Sequence, residues 1–278
     1  MQQDKIVRLK KKARRIRKLV LEMCCKAGTG HITSAFSCME ILVALYHGGV
    51  LCYDPKNPQW AQRDRFILSK GQASVLLYPL LADAGFFPLV ELWKFNRADG
   101  KFGVHLQHDV PGVETTSGSL GHGIGIATGL ALAFKMNREL PMVFALLGDA
   151  ECYEGSVWEA AMFASHNRLN NLVAIVDRNH LGATNFTENM VELEPLDQKW
   201  RSFGWDVVCI DGHSFEQILA ALEGVRSRKT ARPRVIIADT VKGKGIPFMC
   251  YNPLWHAMVP KGRQVQEAKT ACAEDDLQ

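Results

Sequence analysis

The sequence predicts a doubly wound α/β fold: a parallel sheet with helices on both faces. Three observations predict it. Short runs rich in apolar and β-branched residues recur, RFILS at 65–69, VFALL at 143–147, LVAIV at 172–176, DVVCI at 206–210 and RVIIAD at 234–239. They are continuous rather than alternating, the mark of strands buried on both faces. Between them lie helix-like stretches, ASVLLYPLLADAG, LGHGIGIATGLALAFKMN, GSVWEAAMFASHNRL and SFEQILAALEGVRS. Ligands of such folds gather at the carboxyl ends of the strands.

Ahead of the first strand, residues 5–18 hold nine Lys and Arg, and Ile6, Leu9, Ala13, Ile16, Val20 and Met23 recur at spacings of three and four. That is one face of an amphipathic helix. Its basic side reads as a solvated face rather than a nucleic-acid or membrane contact. We expect one domain over residues 1–262 with a helical N-terminal arm, then an irregular C-terminal tail over 263–278. At 278 residues the chain can bury a full core, and its 47% hydrophobic and 22% charged content is ordinary for a soluble protein. No apolar run approaches about 18 residues and no signal-type segment opens the chain, so a cytoplasmic protein is expected. The eight cysteines include no C-x-x-C pair, which argues against a disulfide framework or zinc site.

Two strand ends carry the chemistry. In LLGDAECYEG, Gly148 permits a sharp exit and Asp149 presents a carboxylate over the ligand edge. Glu154-Gly155-Ser156 then opens a helix whose free amides favour an anion. Thirty residues after Asp149, in VAIVDRNHLG, Asn179 offers an amide oxygen, with the main-chain carbonyl of Leu181 close behind. One carboxylate, one amide oxygen and one carbonyl are hard ligands too few to enclose a metal. Water and ligand phosphates must supply the rest, the habit of Mg2+ bound to a diphosphate. A lone Gly-Asp is also how many helix caps read, so the pair carries more than either half.

The pair resembles the fingerprint of the thiamine-diphosphate enzymes, and within them the transketolases: G-D-G, then an Asn after a second apolar strand. The resemblance runs in order from Arg15 to about Pro260. Ala27-Gly28-Thr29-Gly30-His31 is similar to A-G-S-G-H, and the segment from Arg63 to Gly71 to R-D-R-F-x-L-S-x-G. His105, Pro111-Gly112-Val113-Glu114 and the run Thr116 to Gly123 resemble the stretch that lies along the cofactor. The close glycines there suit backbone pressed on a flat ligand. Thr240-Val241-Lys242-Gly243-Lys244-Gly245, with His256 eleven residues on, looks like the loop of a further active-site histidine. Lys242 and Lys244 read equally as phosphate contacts or as loop solubility. His47, His108, His166, His180 and His213 have no supporting flanks and are expected to be structural or solvent-facing.

The departures are Ala150 for the last glycine of G-D-G, Ile32-Thr33 where many members have Pro-Gly, and Gln72 where the family has a histidine. A carboxamide hydrogen-bonds but does not shuttle protons near neutrality.

The resemblance implies thiamine diphosphate and Mg2+ as cofactors. It implies Asp149, Asn179 and the Leu181 carbonyl as metal ligands, and Gln72, Gly118, Ser119, Leu120, Gly148, Asp149, Ala150, Asn179 and His256 as cofactor contacts. His31 and His256 would move protons, His105 would touch the hydroxyls of the transferred unit, and Glu154 would couple two cofactor sites across a dimer. Helix capping is the competing reading of Glu154. In the family, the glutamate that activates the cofactor belongs to a second, pyrimidine-binding domain. The resemblance is therefore to the N-terminal, diphosphate-binding subunit of a split transketolase, which would need a C-terminal partner subunit in a heterotetramer. The implied reaction moves a two-carbon ketol unit from a ketose phosphate to an acceptor. Alternatives are delivery of a glycoloyl unit to a carrier-protein or lipoyl thiol, as on an acyl carrier protein, and a non-catalytic scaffold subunit.

Overall fold

The expected face of the first helix is the buried one. In the computed structural model, which describes residues 2–227 and 230–274, helix α1 (Gln2–Ala27) buries Ile6, Leu9, Ala13, Ile16, Val20 and Met23. Each large apolar side chain so buried contributes about 1.5–3 kcal/mol before ordering costs. The helix is thus part of the core, not an arm laid on it. It packs on α3 (Met39–His47) and α4 (Ser74–Ala84), with the short α2 (Ile32–Ser37) between α1 and α3 in sequence.

All five expected strands form. They are β1 (Arg65–Leu68), β2 (Val143–Gly148), β3 (Leu172–Arg178), β4 (Asp206–Asp211) and β5 (Arg234–Asp239), in one parallel sheet of order β1-β2-β3-β5-β4. The intervening helices are α5 (His122–Met136), α6 (Gly155–His166), α7 (Thr187–Met190), α8 (Leu196–Ser202) and α9 (Phe215–Leu222). Because strand side chains alternate in direction, the continuous apolar runs supply two cores. Phe66, Leu68, Phe144, Leu146, Val173 and Ile175 join the N-terminal helices and α9 on one face. Ile67, Val143, Ala145, Leu147, Ala174 and Val176 join α5, α6 and Trp200 of α8 on the other.

Two further expectations need correction. Strand β4 is only partly buried, with Cys209 exposed, because it lies at the sheet edge and has a neighbouring strand on one side only. The segment expected as an irregular tail instead forms α10 (Arg263–Glu274), which packs on α1 and buries Ala268 and Cys272. Its few apolar positions sit on one stripe, enough for docking on a helix already present but too few to declare a helix alone. No helix among the described residues is long and apolar enough to cross a membrane.

Gly148 pairs with Asp177 in the β2–β3 register. The residues just beyond, Asp149 and Asn179, therefore leave neighbouring central strands at the same edge.

Candidate active site

The first wall of the site is the turn after β3, wrapped around Asp149. The Asp149 side chain, 1% exposed, accepts from the Ala150 amide at 2.8 Å, the His180 amide at 2.6 Å and Arg178 Nη1 at 3.2 Å. Burial raises its carboxyl above the ordinary range, Asp177 adds to that, and the two amides and Arg178 oppose it. Asn179 accepts the Leu181 amide on Oδ1 at 3.2 Å and donates Nδ2 to Asp177 Oδ2 at 3.2 Å. A carboxylate only accepts and a main-chain N–H only donates, so both neighbours dictate the same amide orientation. Three oxygens of the expected ligand set, from Asp149, Asn179 and Leu181, are buried together at this turn.

The second wall comes from the loop after β5. Lys242, 3% exposed, donates Nζ to the Leu181 carbonyl at 3.2 Å and the Gly182 carbonyl at 2.8 Å, and lies 3.1 Å from His256 Nδ1. Burial pulls its ammonium down to about 8. Of the two lysines left open between phosphate contact and loop solubility, Lys242 is therefore inside the site, while Lys244 is only half-buried. A cavity of about 120 Å3 lies between the walls, lined among others by Gln72, Leu120, Gly148, Asp149, Ala150, Asn179, Lys242 and His256. A larger surface groove of about 540 Å3, bordered by Lys5, Gly48 and Arg226, gathers no comparable set of convergent groups.

Three histidines expected from separate segments meet above this cavity. The His31 ring is 5.2 Å from His256, edge to face, and 5.8 Å from His105. Burial, reinforced by His105 and Lys242, lowers His31 to about 4. His256 is likewise lowered to about 4 by burial, then by Lys242 and His31. Both are neutral imidazoles near pH 7, each with a nitrogen able to take a proton. His31 Nδ1 and Gln72 Oε1 are buried without a hydrogen-bond partner, the condition of groups arranged for a ligand. Gly118, at φ 140°, lies so close to His105 that a Cβ would stand 3.0 Å from its ring. Ser119 is exposed beside it.

Glu154 is exposed at the start of α6 and makes no side-chain cap bond, so the capping alternative is not realised. The histidines set aside are outside the cluster. His213 bridges Glu40 at 2.9 Å and the Val241 amide at 2.8 Å. His180 lies 2.9 Å from Asp239, His47 3.2 Å from Asp83 and His108 3.2 Å from Thr116.

Sequence reasoning missed four buried charged residues beneath the cavity. Lys70, at the end of β1, pairs with Asp177 at the end of β3, and Ser37 and Thr240 also donate to that carboxylate. Burial alone would raise Asp177, but Lys70 holds it below its usual value. Glu151 takes Ser69 Oγ and the amides of Gly121 and Gly148, both at 2.9 Å. Arg178 joins Asp149 to Thr187, Glu188 and Glu194. Their signal was charge immediately after an apolar strand, which also describes a solvated loop until burial is known.

A central pair of parallel strands, ending in a carboxylate and an amide oxygen beneath neutral histidines and a buried lysine, defines a doubly wound α/β protein with a polar cavity at the carboxyl edge. Known proteins narrow the class. The family model described as transketolase, thiamine diphosphate binding domain, matches residues 9–275. The chain belongs to the transketolase family. It is 42% identical over 241 residues, 86% of this chain and 87% of the relative, to the SqwG subunit of the 6-deoxy-6-sulfo-D-fructose transketolase of Clostridium sp.. It is 40% identical over 263 residues, 94% of each, to one of the subunits of the apulose-4-phosphate transketolase of Actinobacillus succinogenes. The transketolase structure from Campylobacter jejuni superposes with a TM-score of 0.88 at 30% identity, covering 95% of this chain but 42% of that one. The chain thus spans less than half of such longer transketolases and nearly all of the two subunits.

The donor set suits the group that the family binds. Three hard oxygens leave places for phosphate oxygens on a small divalent cation, and Gln72 Oε1 and His31 Nδ1 await partners. Among the described residues no three His, Cys, Asp or Glu side chains form a metal cluster of their own, so a cation held here would rely on ligand oxygens.

Proposed function

We propose that this chain is the diphosphate-binding subunit of a split transketolase, moving a two-carbon ketol unit from an anionic ketose to an aldose acceptor with thiamine diphosphate and Mg2+. The observation that carries the reading is the meeting of His31, His105 and His256 above the cavity edged by Asp149, Asn179 and Leu181. Asp149, Asn179 and the Leu181 carbonyl would hold the cation and through it the diphosphate. Bound cofactor supplies the carbon nucleophile that opens the ketose C2–C3 bond. The protein's part is to place the sugar and move its protons. Neutral His31 and His256 accept a proton from a ketose hydroxyl and return it to the acceptor, while His105 holds the hydroxyls of the transferred unit. Gln72 replaces a titratable contact with a fixed one. We assign exposed Glu154 to contact across a dimer of such units.

The names of the two relatives, one a sulfonated ketose enzyme and one a ketose phosphate enzyme, support a donor with an anionic terminus. A partner chain of about 300 residues, judged from ordinary domain sizes, would bring the pyrimidine-binding domain and complete a cytoplasmic heterotetramer. The test is to assay aldose release from ketose phosphates and sulfonates by the chain alone and with a candidate C-terminal partner chain. We expect turnover only in the mixture, and loss of thiamine diphosphate affinity by about 10–100-fold in Asp149→Ala. Full activity of the isolated chain overturns the split-enzyme reading.

A further inference from the structure

The loop that carries Lys242 into the site is pinned by three of its amides. After β5 the Thr240 amide donates to the Arg178 carbonyl at 3.0 Å, and the Gly243 amide to the Thr33 carbonyl at 3.1 Å. Between them the Val241 amide donates to a side chain, His213 Nε2, at 2.8 Å. His213 belongs to the turn after β4, in Asp211-Gly212-His213-Ser214. A Cβ on Gly212 would stand 2.4 Å from Thr240 Cγ2, so the glycine lets this turn close on the end of β5. The other ring nitrogen, Nδ1, lies 2.9 Å from Glu40 Oε2, and Arg17 Nη2 donates to Glu40 Oε1 at 2.7 Å. Arg17 and His213 keep Glu40 ionised against the effect of burial.

We infer that His213 is a positioning residue: Glu40 sets its tautomer, and its bare Nε2 anchors the Val241 amide and so seats Lys242 at the cavity. A main-chain N–H only donates and a carboxylate only accepts, so the two neighbours admit one neutral ring, with the proton on Nδ1. The opposite tautomer loses both bonds. A doubly protonated ring keeps Glu40 but turns an N–H toward the Val241 N–H. None of Arg17, Glu40 and His213 borders the cavity, so the path runs from α1 and α3 through the turn after β4 to a side chain inside the site. The consequence for ligand binding rests on the thiamine diphosphate reading above, whereas the anchor itself stands on the protein's own contacts.

The two ring nitrogens can be tested apart. An asparagine amide stands in for Nδ1 and falls short of Val241, whereas the longer glutamine amide brings an acceptor oxygen to the place of Nε2. His213→Asn therefore keeps the Glu40 bond without the anchor, and His213→Gln keeps the anchor. The readouts on the full chain are amide hydrogen exchange at Val241, the urea midpoint, and thiamine diphosphate affinity at saturating Mg2+ by calorimetry. Relative to the wild type, His213→Asn should speed Val241 exchange and weaken thiamine diphosphate by about tenfold each, while His213→Gln stays within about threefold in both. Ring 15N shifts of the wild type, which need no variant to fold, should show a protonated Nδ1 and a bare Nε2 on His213. A protonated Nε2, or equal behaviour of the two variants in exchange and affinity, overturns the anchor. A lowered urea midpoint in His213→Asn with wild-type exchange and affinity marks a structural histidine and overturns it too. Faster exchange with unchanged affinity separates Val241 from the site and overturns the positioning role. Failure of the wild type to bind thiamine diphosphate, with Val241 exchange responding as expected, removes the cofactor reading and leaves the anchor standing.

Discussion

At the scale of single residues, the most consequential charges are buried and paired. Glu40 of α3, 8% exposed, takes Arg17 Nη2 of α1 at 2.7 Å and stands 2.9 Å from His213 Nδ1. Burial alone would raise its carboxyl, but Arg17 and His213 hold it down at about 2. A carboxyl depressed in the folded state lends stability above its unfolded value, and that stability is lost as pH falls through the folded one. Urea midpoints should therefore drop between pH 4.5 and 2 in the wild type. Glu40→Gln should flatten that dependence and cost about 3 kcal/mol near neutrality, because it takes a buried carboxylate away from both Arg17 and His213. The lowered histidines of the cavity make a second prediction at this scale. With His31 and His256 near 4, both keep their proton-accepting form well below the ordinary histidine range. The acid limb of kcat/KM for the reconstituted enzyme should then fall toward pH 4–5, and a limb centred at 6.5 would remove these two from proton transfer.

At the scale of elements, α5 is seated on the end of β1 by what it lacks. A Cβ on Gly123 would run into the side chain of Ser69 and stand 2.7 Å from its Cα, and Ser69 in turn bonds Glu151. Gly123→Ala should cost about 1–3 kcal/mol in urea unfolding and weaken thiamine diphosphate by displacing the loop from Gly118 to Gly121. Unchanged stability would show that α5 has room to move. The elements themselves were largely legible, because strands covered on two faces cannot hide their apolar runs. Strand β4 lies at the sheet edge and α10 leans on α1, so neither carries its environment in its own letters. The site divides in the same way. Asp149, Asn179 and the three histidines stand out through spacing and flanks. Lys70, Glu151, Asp177 and Arg178 became interpretable only when the fold showed that water does not reach them.

At the scale of the whole molecule, the cavity lies at the edge of strands that are packed against a core on each face of the sheet. The proposed division of labour follows: this chain holds the anionic end of the cofactor, and the partner activates the other. The β2–β3 register, in which Gly148 lies opposite Asp177, also says what the thirty-residue interval between the two metal-ligand candidates means. The interval is the length of one crossover, while the site is the place where two adjacent strands end together. Two residues added to the turn at 167–171 should leave thiamine diphosphate affinity within about threefold, since surface turns absorb length at little entropic cost. One residue added inside β3 should abolish binding, because every later side chain changes face. A search for distant kin that demands a fixed count between the two motifs will discard working sites with longer loops, whereas one that aligns the rows of adjacent strands will keep them.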